Sequence, residues 1–201
     1  AGQPPAFEAA AGGGSWNLIK TLTSDGSDSD LTFLDGTDSV VLDNTYSEYI
    51  FKFINIHGET DYTNFTMQAT IDGGSNYDVE CTTSYVDAYN KEGGDSGSVS
   101  QNTAFTHSSQ TTFVPIARQV GNDNDQCLSG TLHMWNPSDT TYAKQLTYLG
   151  VNHYTSASTA QYSMGSWVSL IFNTTSAING VQFKFAADEI QGGQIKLYGI
   201  T

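Results

Sequence analysis

The sequence predicts an all-β protein: an antiparallel β-sandwich, jelly-roll-like, with an extended N-terminal arm. Three observations carry this expectation. Apolar and polar residues alternate in run after run from Trp16 to Ile200, the period of a strand with one buried face. Gly-, Asn- and Asp-rich turn signals separate these runs at roughly 8–12-residue spacing, the pattern of a sandwich or barrel. No segment shows a 3.6-residue apolar stripe, and only 14% of residues are charged, against a typical ~25%. Ser, Thr, Asn, Gly and Tyr stand where a helical protein would carry Lys and Glu, and these residues favour strands and turns.

The elements follow in order. Residues 1–15 form the arm: Pro4-Pro5, an Ala run and Gly12-Gly13-Gly14 make an extended segment and a flexible hinge. A short piece of this arm is the best helical candidate in the chain. Pro4, Pro5, Phe7 and Trp16 are its candidate attachment residues. Residues 16–201 are expected to form a single β-sandwich domain, a length that supports a sizeable core. Strand-like runs lie near 16–23, 30–34, 64–71, 77–89, 111–117, 142–151 and 161–172. In "YIFKFINI" Tyr49, Phe51 and Phe53 share one face and Ile50, Ile54 and Ile56 the other. Apolar residues on both faces predict a central strand. "GTLHMWN" and "GVQFKFA" alternate cleanly. Turns are expected at Asp25-Gly26, Asp35-Gly36, Asp72-Gly73-Gly74, Gly93-Gly94, Asn136-Pro137 and Gly192-Gly193. The ending "VQFKFAADEIQGGQIKLYGIT" reads as a closing hairpin. Val181, Phe183, Phe185, Ile195 and Leu197 supply core, and 186–193 supply its loop.

Charge and composition narrow the function classes. The net charge is −14, from 21 acids against 7 bases. Phosphate binding needs clustered Lys and Arg, so nucleic acid is not an expected partner. An anionic membrane surface is set aside for the same reason. No apolar run approaches the ~20 residues of a transmembrane helix. The opening Ala-Gly fits removal of an initiator Met, and 1–16 lack the basic and apolar regions of a signal peptide. A protein made in a cytoplasm is expected. Cys81 and Cys127 read as small buried side chains, with a single disulfide as the other reading.

Four patterns could carry chemistry. "GGDSGSV" holds Gly-Asp-Ser-Gly, which resembles the nucleophile motif of chymotrypsin-like proteases, with Ser96 as nucleophile and His57 and Asp87 upstream. The tetrapeptide sits in "KEGGDSGSVSQN", read as a flexible loop, and nothing around it predicts an oxyanion hole. "GNDNDQ" and "SDGSDSD" are Asp-rich, but neither completes the ligand pattern of a calcium loop. Asp123 and Asp125 are the candidate ligands if such a site is present. His57, His107, His133 and His153 never fall at i,i+2 or i,i+4 spacing. Glu48, Glu59, Glu80, Glu92 and Glu189 could pair only through the fold. The expectation is no catalytic residue, no cofactor and no metal. Eleven Tyr and three Trp could stack on a sugar, although in a sandwich most such rings belong to the core.

Three long stretches carry a resemblance. They are "SWNLIKTLTSDGSDSDLTFLDGTDSVVLDNTYSEYIFKFINIHGETD", "GNDNDQCLSGTLHMWNPSDTTYAKQL" and "NTTSAINGVQFKFAADEIQGGQIKLYGI". Together they resemble a family of small virion structural proteins of marine tailed bacteriophages, over about residues 15–201. The resemblance implies a non-enzymatic virion component on the particle exterior, assembled in the host cytoplasm. The acidic, polar-coated sandwich and the arm fit capsid decoration or cement attached through residues 1–15. The expected partners are other virion proteins and further copies of the chain, a trimer by analogy with other phage surface proteins. The alternative is a tail or fibre-tip protein that binds a host surface glycan.

Overall fold

The structure is a computed structural model and describes residues 15–156 and 160–201. Pro4, Pro5 and Phe7 lie outside the described residues. Twelve strands are present and no helix is found among the described residues. In order they are β1 (Trp16–Thr23), β2 (Leu31–Leu34), β3 (Glu48–Gly58), β4 (Thr63–Thr70), β5 (Cys81–Lys91) and β6 (Gly97–Gln101). There follow β7 (Val114–Val120), β8 (Leu128–Trp135), β9 (Lys144–Thr155), β10 (Gln161–Phe172), β11 (Gly180–Phe185) and β12 (Ile190–Ile200). They form two antiparallel sheets packed as a sandwich. One has eight strands in the order β1-β12-β3-β8-β9-β10-β5-β6, the other four in the order β2-β11-β4-β7. The all-β sandwich read from the sequence is therefore present.

The alternation places the core. Phe51 and Phe53 of β3 meet Phe33 of β2, Phe65 of β4 and Phe183 of β11, with ring centroids 5.1–6.3 Å apart. Phe51 and Phe53 belong to the larger sheet and the other three to the smaller, so this cluster glues one sheet to the other. Burying each such ring contributes roughly 1.5–3 kcal/mol before the cost of ordering it. Nearly all the pairs are edge-on, the geometry that aromatic quadrupoles favour. Tyr49, Tyr85 and Tyr148 are also fully buried. Burial pushes the Tyr85 hydroxyl up to about 12, and Ser166 Oγ lies 2.6 Å from it.

Polar latches also cross between the sheets. Arg118 on β7 donates from Nε to Asp87 Oδ2 on β5 at 2.7 Å, and Asn102 Nδ2 donates to the same oxygen. Asp87 is 1% exposed, so its charge depends on these partners. Asn152 on β9 donates to the carbonyls of Arg118 and Gln119.

Three local expectations change. The chain's ending is not a hairpin. Val181, Phe183, Phe185, Ile195 and Leu197 are all buried as read. Yet β11 pairs with β2 and β4, while β12 pairs with β1 and β3. The link is residues 186–189, an arch that passes from one sheet to the other. Gly192-Gly193 lies inside β12, at a bulge opposite Asn55. There Gly193 has φ +98°, and a Cβ would sit 2.4 Å from the Asn55 carbonyl oxygen, a conformation and a space that only glycine fits. The same bulge changes β3. Asn55 has φ +52°, which reverses the alternation, so Ile56 joins Phe51 and Phe53 in the core and leaves the Ile50 face. Finally, "GSVSQ" forms β6 where a flexible loop was expected. It is an edge strand with all five residues exposed, so it carries no buried alternation to announce it.

The acids are distributed unevenly. Among the described residues, only the acids Glu48 and Asp87 fall inside strands. In the turns, carboxylates accept backbone N–H groups. Asp25 accepts from Ser27, Asp43 from Thr45, Asp72 from Asn76 and Asp139 from Thr141 and Tyr142. These bonds mimic a backbone turn and stabilise the ionised form. The acidity thus doubles as turn chemistry at the ends of the sandwich.

Candidate functional site

The protease-like residues are engaged separately. Ser96 lies in the turn between β5 and β6, where its carbonyl accepts from Lys91 N. His57 Nδ1 lies 2.7 Å from the Gln126 carbonyl oxygen. Asp87 is committed to Arg118. A triad needs these three groups in one hydrogen-bonded chain, and their partners place them apart. Cys81 and Cys127 are both free. Burial pushes the Cys127 thiol up and the Cys81 thiol up to about 11, which keeps both away from the reactive thiolate.

Asp123 and Asp125 occupy the turn before β8. Asp123 Oδ2 accepts from Gln126 Nε2 and from Thr155 Oγ1, both at 3.1 Å, so it fastens this turn to the end of β9. Asp125 is exposed. Among the described residues no three His, Cys, Asp or Glu side chains cluster as a metal site would need. Trp16 opens β1, opposite Ile200. Its ring meets Tyr198 edge-on at 5.4 Å and lies 4.4 Å from Lys52 Nζ.

The most distinctive surface is the outward face of the eight-stranded sheet. The smaller sheet covers its other face. Register and alternation give the outward rows directly. One row reads Thr131, Leu149, Trp167, Val86 and Gln101 across β8, β9, β10, β5 and β6. The adjacent row reads Ser129, Val151, Gly165, Ala88 and Val99. The next reads His153, Ser163, Asn90 and Gly97, with Cys127 opposite His153. Large apolar side chains stand open to solvent here: Val99 75%, Leu149 62%, Val151 51% and Trp167 47% exposed. Continuous exposed apolar groups of this kind mark contact surfaces on soluble proteins.

Between these rows lies a groove of about 460 Å³, lined by Asn90, Glu92, Cys127, Val151, His153 and Ser163 among others. Val151 provides an apolar wall. The remaining groups offer amide, hydroxyl, imidazole and carboxylate hydrogen bonds, and Lys91 adds an ammonium. A shallower groove shares Asn90 and Ser163 and continues toward β6 past Val99.

On this face the chain departs from its own composition. From β8 to β6 the outward strand positions carry no Asp, Glu, Lys or Arg. Across β1, β12 and β3 the outward charges are Lys52, Lys196 and Glu48, the last with Oε1 2.6 Å from His133 Nδ1. All three tryptophans stand on this face: Trp16, Trp135 and Trp167. Sequence reading found the rings but not their common side, because that depends on which strands become neighbours.

No family model, no curated protein and no solved structure matches the chain. What fold and surface define is therefore a class: an acidic, all-β sandwich with one covered sheet face and one open, charge-poor sheet face.

Proposed function

We propose that the chain is a non-enzymatic structural protein of a bacteriophage particle exterior, a capsid decoration or cement protein attached through residues 1–15. The observation that carries this reading is the open, charge-poor face with its exposed Leu149, Val151, Val99 and Trp167. It is a surface for contact, and His57 and Asp87 are engaged with Gln126 and Arg118 rather than with Ser96. The strand order gives further support. Taking β1 to β4, β7, β8, β11 and β12 alone, the sheets read β1-β12-β3-β8 and β2-β11-β4-β7. We read this as a jelly roll, with β9, β10, β5 and β6 added to one sheet. Jelly rolls recur in viral capsid and lectin domains, an argument by analogy of fold. On this reading the protein assembles in the host cytoplasm and binds other virion proteins as a homo-oligomer, a trimer by analogy with other phage surface proteins. Deleting residues 1–15 should lower its occupancy on shells at least severalfold in a co-sedimentation assay. Full occupancy after that deletion would count against attachment by the arm.

A second reading is favoured by the groove beside Val151. Its hydrogen-bonding groups, among them Asn90, Ser163, His153 and the Glu92 carboxylate, with the Trp167 ring two residues along β10 from Gly165, would suit a host surface glycan at a tail or fibre tip. A glycan array and a host-adsorption assay with the purified protein test it, and flat results in both would remove it.

A further inference from the structure

We infer that the outward face of the eight-stranded sheet is the surface on which copies of this chain associate. This rests on the contact reading of that face but not on where the particle carries it. Two copies that each carry −14 repel wherever acidic surfaces approach, and like-charge juxtaposition is what suppresses wrong pairings. The chain sends its acids into the turns and leaves a single carboxylate, Glu48, pointing outward from the strands of this sheet. It is therefore a broad surface that a second acidic copy can approach closely. Its makeup matches the core of an interface in two respects: charges are depleted and aromatics gathered.

The dimensions fit as well. Eight strands spaced ~4.8 Å apart, averaging about 30 Å in length, give a face on the order of 1,000 Å². A stable association covers about 800 Å² on each partner. The end strand supports the same assignment. β6 leaves all five residues exposed and uncharged, with no proline and no bulge in its pairing to β5. Sheets defend open edges with such devices or cover them.

The intact protein is tested by sedimentation across a concentration series. The wild type is expected to run above its 21.6 kDa monomer mass. Leu149→Glu with Val151→Glu is expected to return it to that mass, with an unchanged circular dichroism spectrum and melting temperature. Ile71→Glu, an exposed apolar position off this face, is expected to leave association intact. Because all three tryptophans lie on the face, wild-type emission should move to the blue as concentration rises. The double variant should not show that move.

A wild type that stays monomeric throughout the series overturns the proposal. So does an oligomer that survives the double substitution with its fold intact. A monomer whose tryptophan emission shifts with a glycan instead, and loses that shift in Trp167→Ala, would give the face to a sugar. A blue emission that is independent of concentration and lost on deleting residues 1–14 would give it to the chain's own arm. Either result rejects self-association while leaving the particle-exterior reading to be judged on its own test.

Discussion

Arg118 is the chain's single arginine, and its use is internal. Its guanidinium meets Asp87 at 2.7 Å in the space between the sheets. Removing one member of a buried pair strands the other charge, a loss of about 3–5 kcal/mol. Asp87→Ala should therefore cost a large fraction of the stability, read as a lower urea midpoint. Asp87→Asn combined with Arg118→Met should cost clearly less, because neither charge is then left unpaired. A single variant that melts with the wild type would contradict this role. Neither residue announced the pairing in the sequence. Asp87 appeared there as the acid of a protease-like trio with His57 and Ser96. The alternation in β5 does place Asp87 on the inward side with Tyr85 and Thr83. What no local pattern supplies is that β7, across the sandwich, would bring Arg118 to it.

Elements were more legible than their pairings. Eleven of the twelve strands overlap runs read from alternation, because an inward row of Phe, Leu, Ile and Val leaves a clear period-two trace. β6 left no such trace, since "GSVSQ" buries neither face. The ending was read as strand, turn, strand. Its strands are real, but β12 lies between β1 and β3, and the link crosses between sheets. Period two says which residues face inward and not which sheet receives the strand. The turns make a prediction of their own. Hydrogen bonds from Asn76 and Thr70 hold the Asp72 carboxyl down at about 2. Asp25, Asp43 and Asp139 are lowered by similar bonds from Ser27, Thr45, Tyr142 and Thr141. A carboxylate with a depressed folded pKa adds stability above its unfolded value of ~3.9, and loses it as pH falls through the folded value. Urea midpoints should accordingly fall between about pH 4 and pH 2. Asp72→Asn, which cannot titrate, should flatten part of that slope; an identical slope in the variant would show that this turn does not contribute.

At the scale of the whole molecule, apolar side chains and negative charge are distributed separately. Apolar bulk fills the space between the sheets through Phe33, Phe51, Phe53, Phe65 and Phe183, and a second apolar population remains on the open side through Leu149, Val151 and Trp167. Negative charge collects in the turns at the ends. A particle-exterior protein needs such a division: a soluble rim, a rigid centre and a face that meets neighbours. The charge total was plain from composition, whereas its partition depended on the topology. A reconstruction of intact phage particles tests the proposed particle-exterior role most directly. It should show the twelve-stranded sandwich outside the shell, with the open face of the larger sheet covered by a neighbouring copy and residues 1–15 reaching the shell. Particles with no such density on their exterior, or a sandwich bound with that face open to solvent, would contradict it.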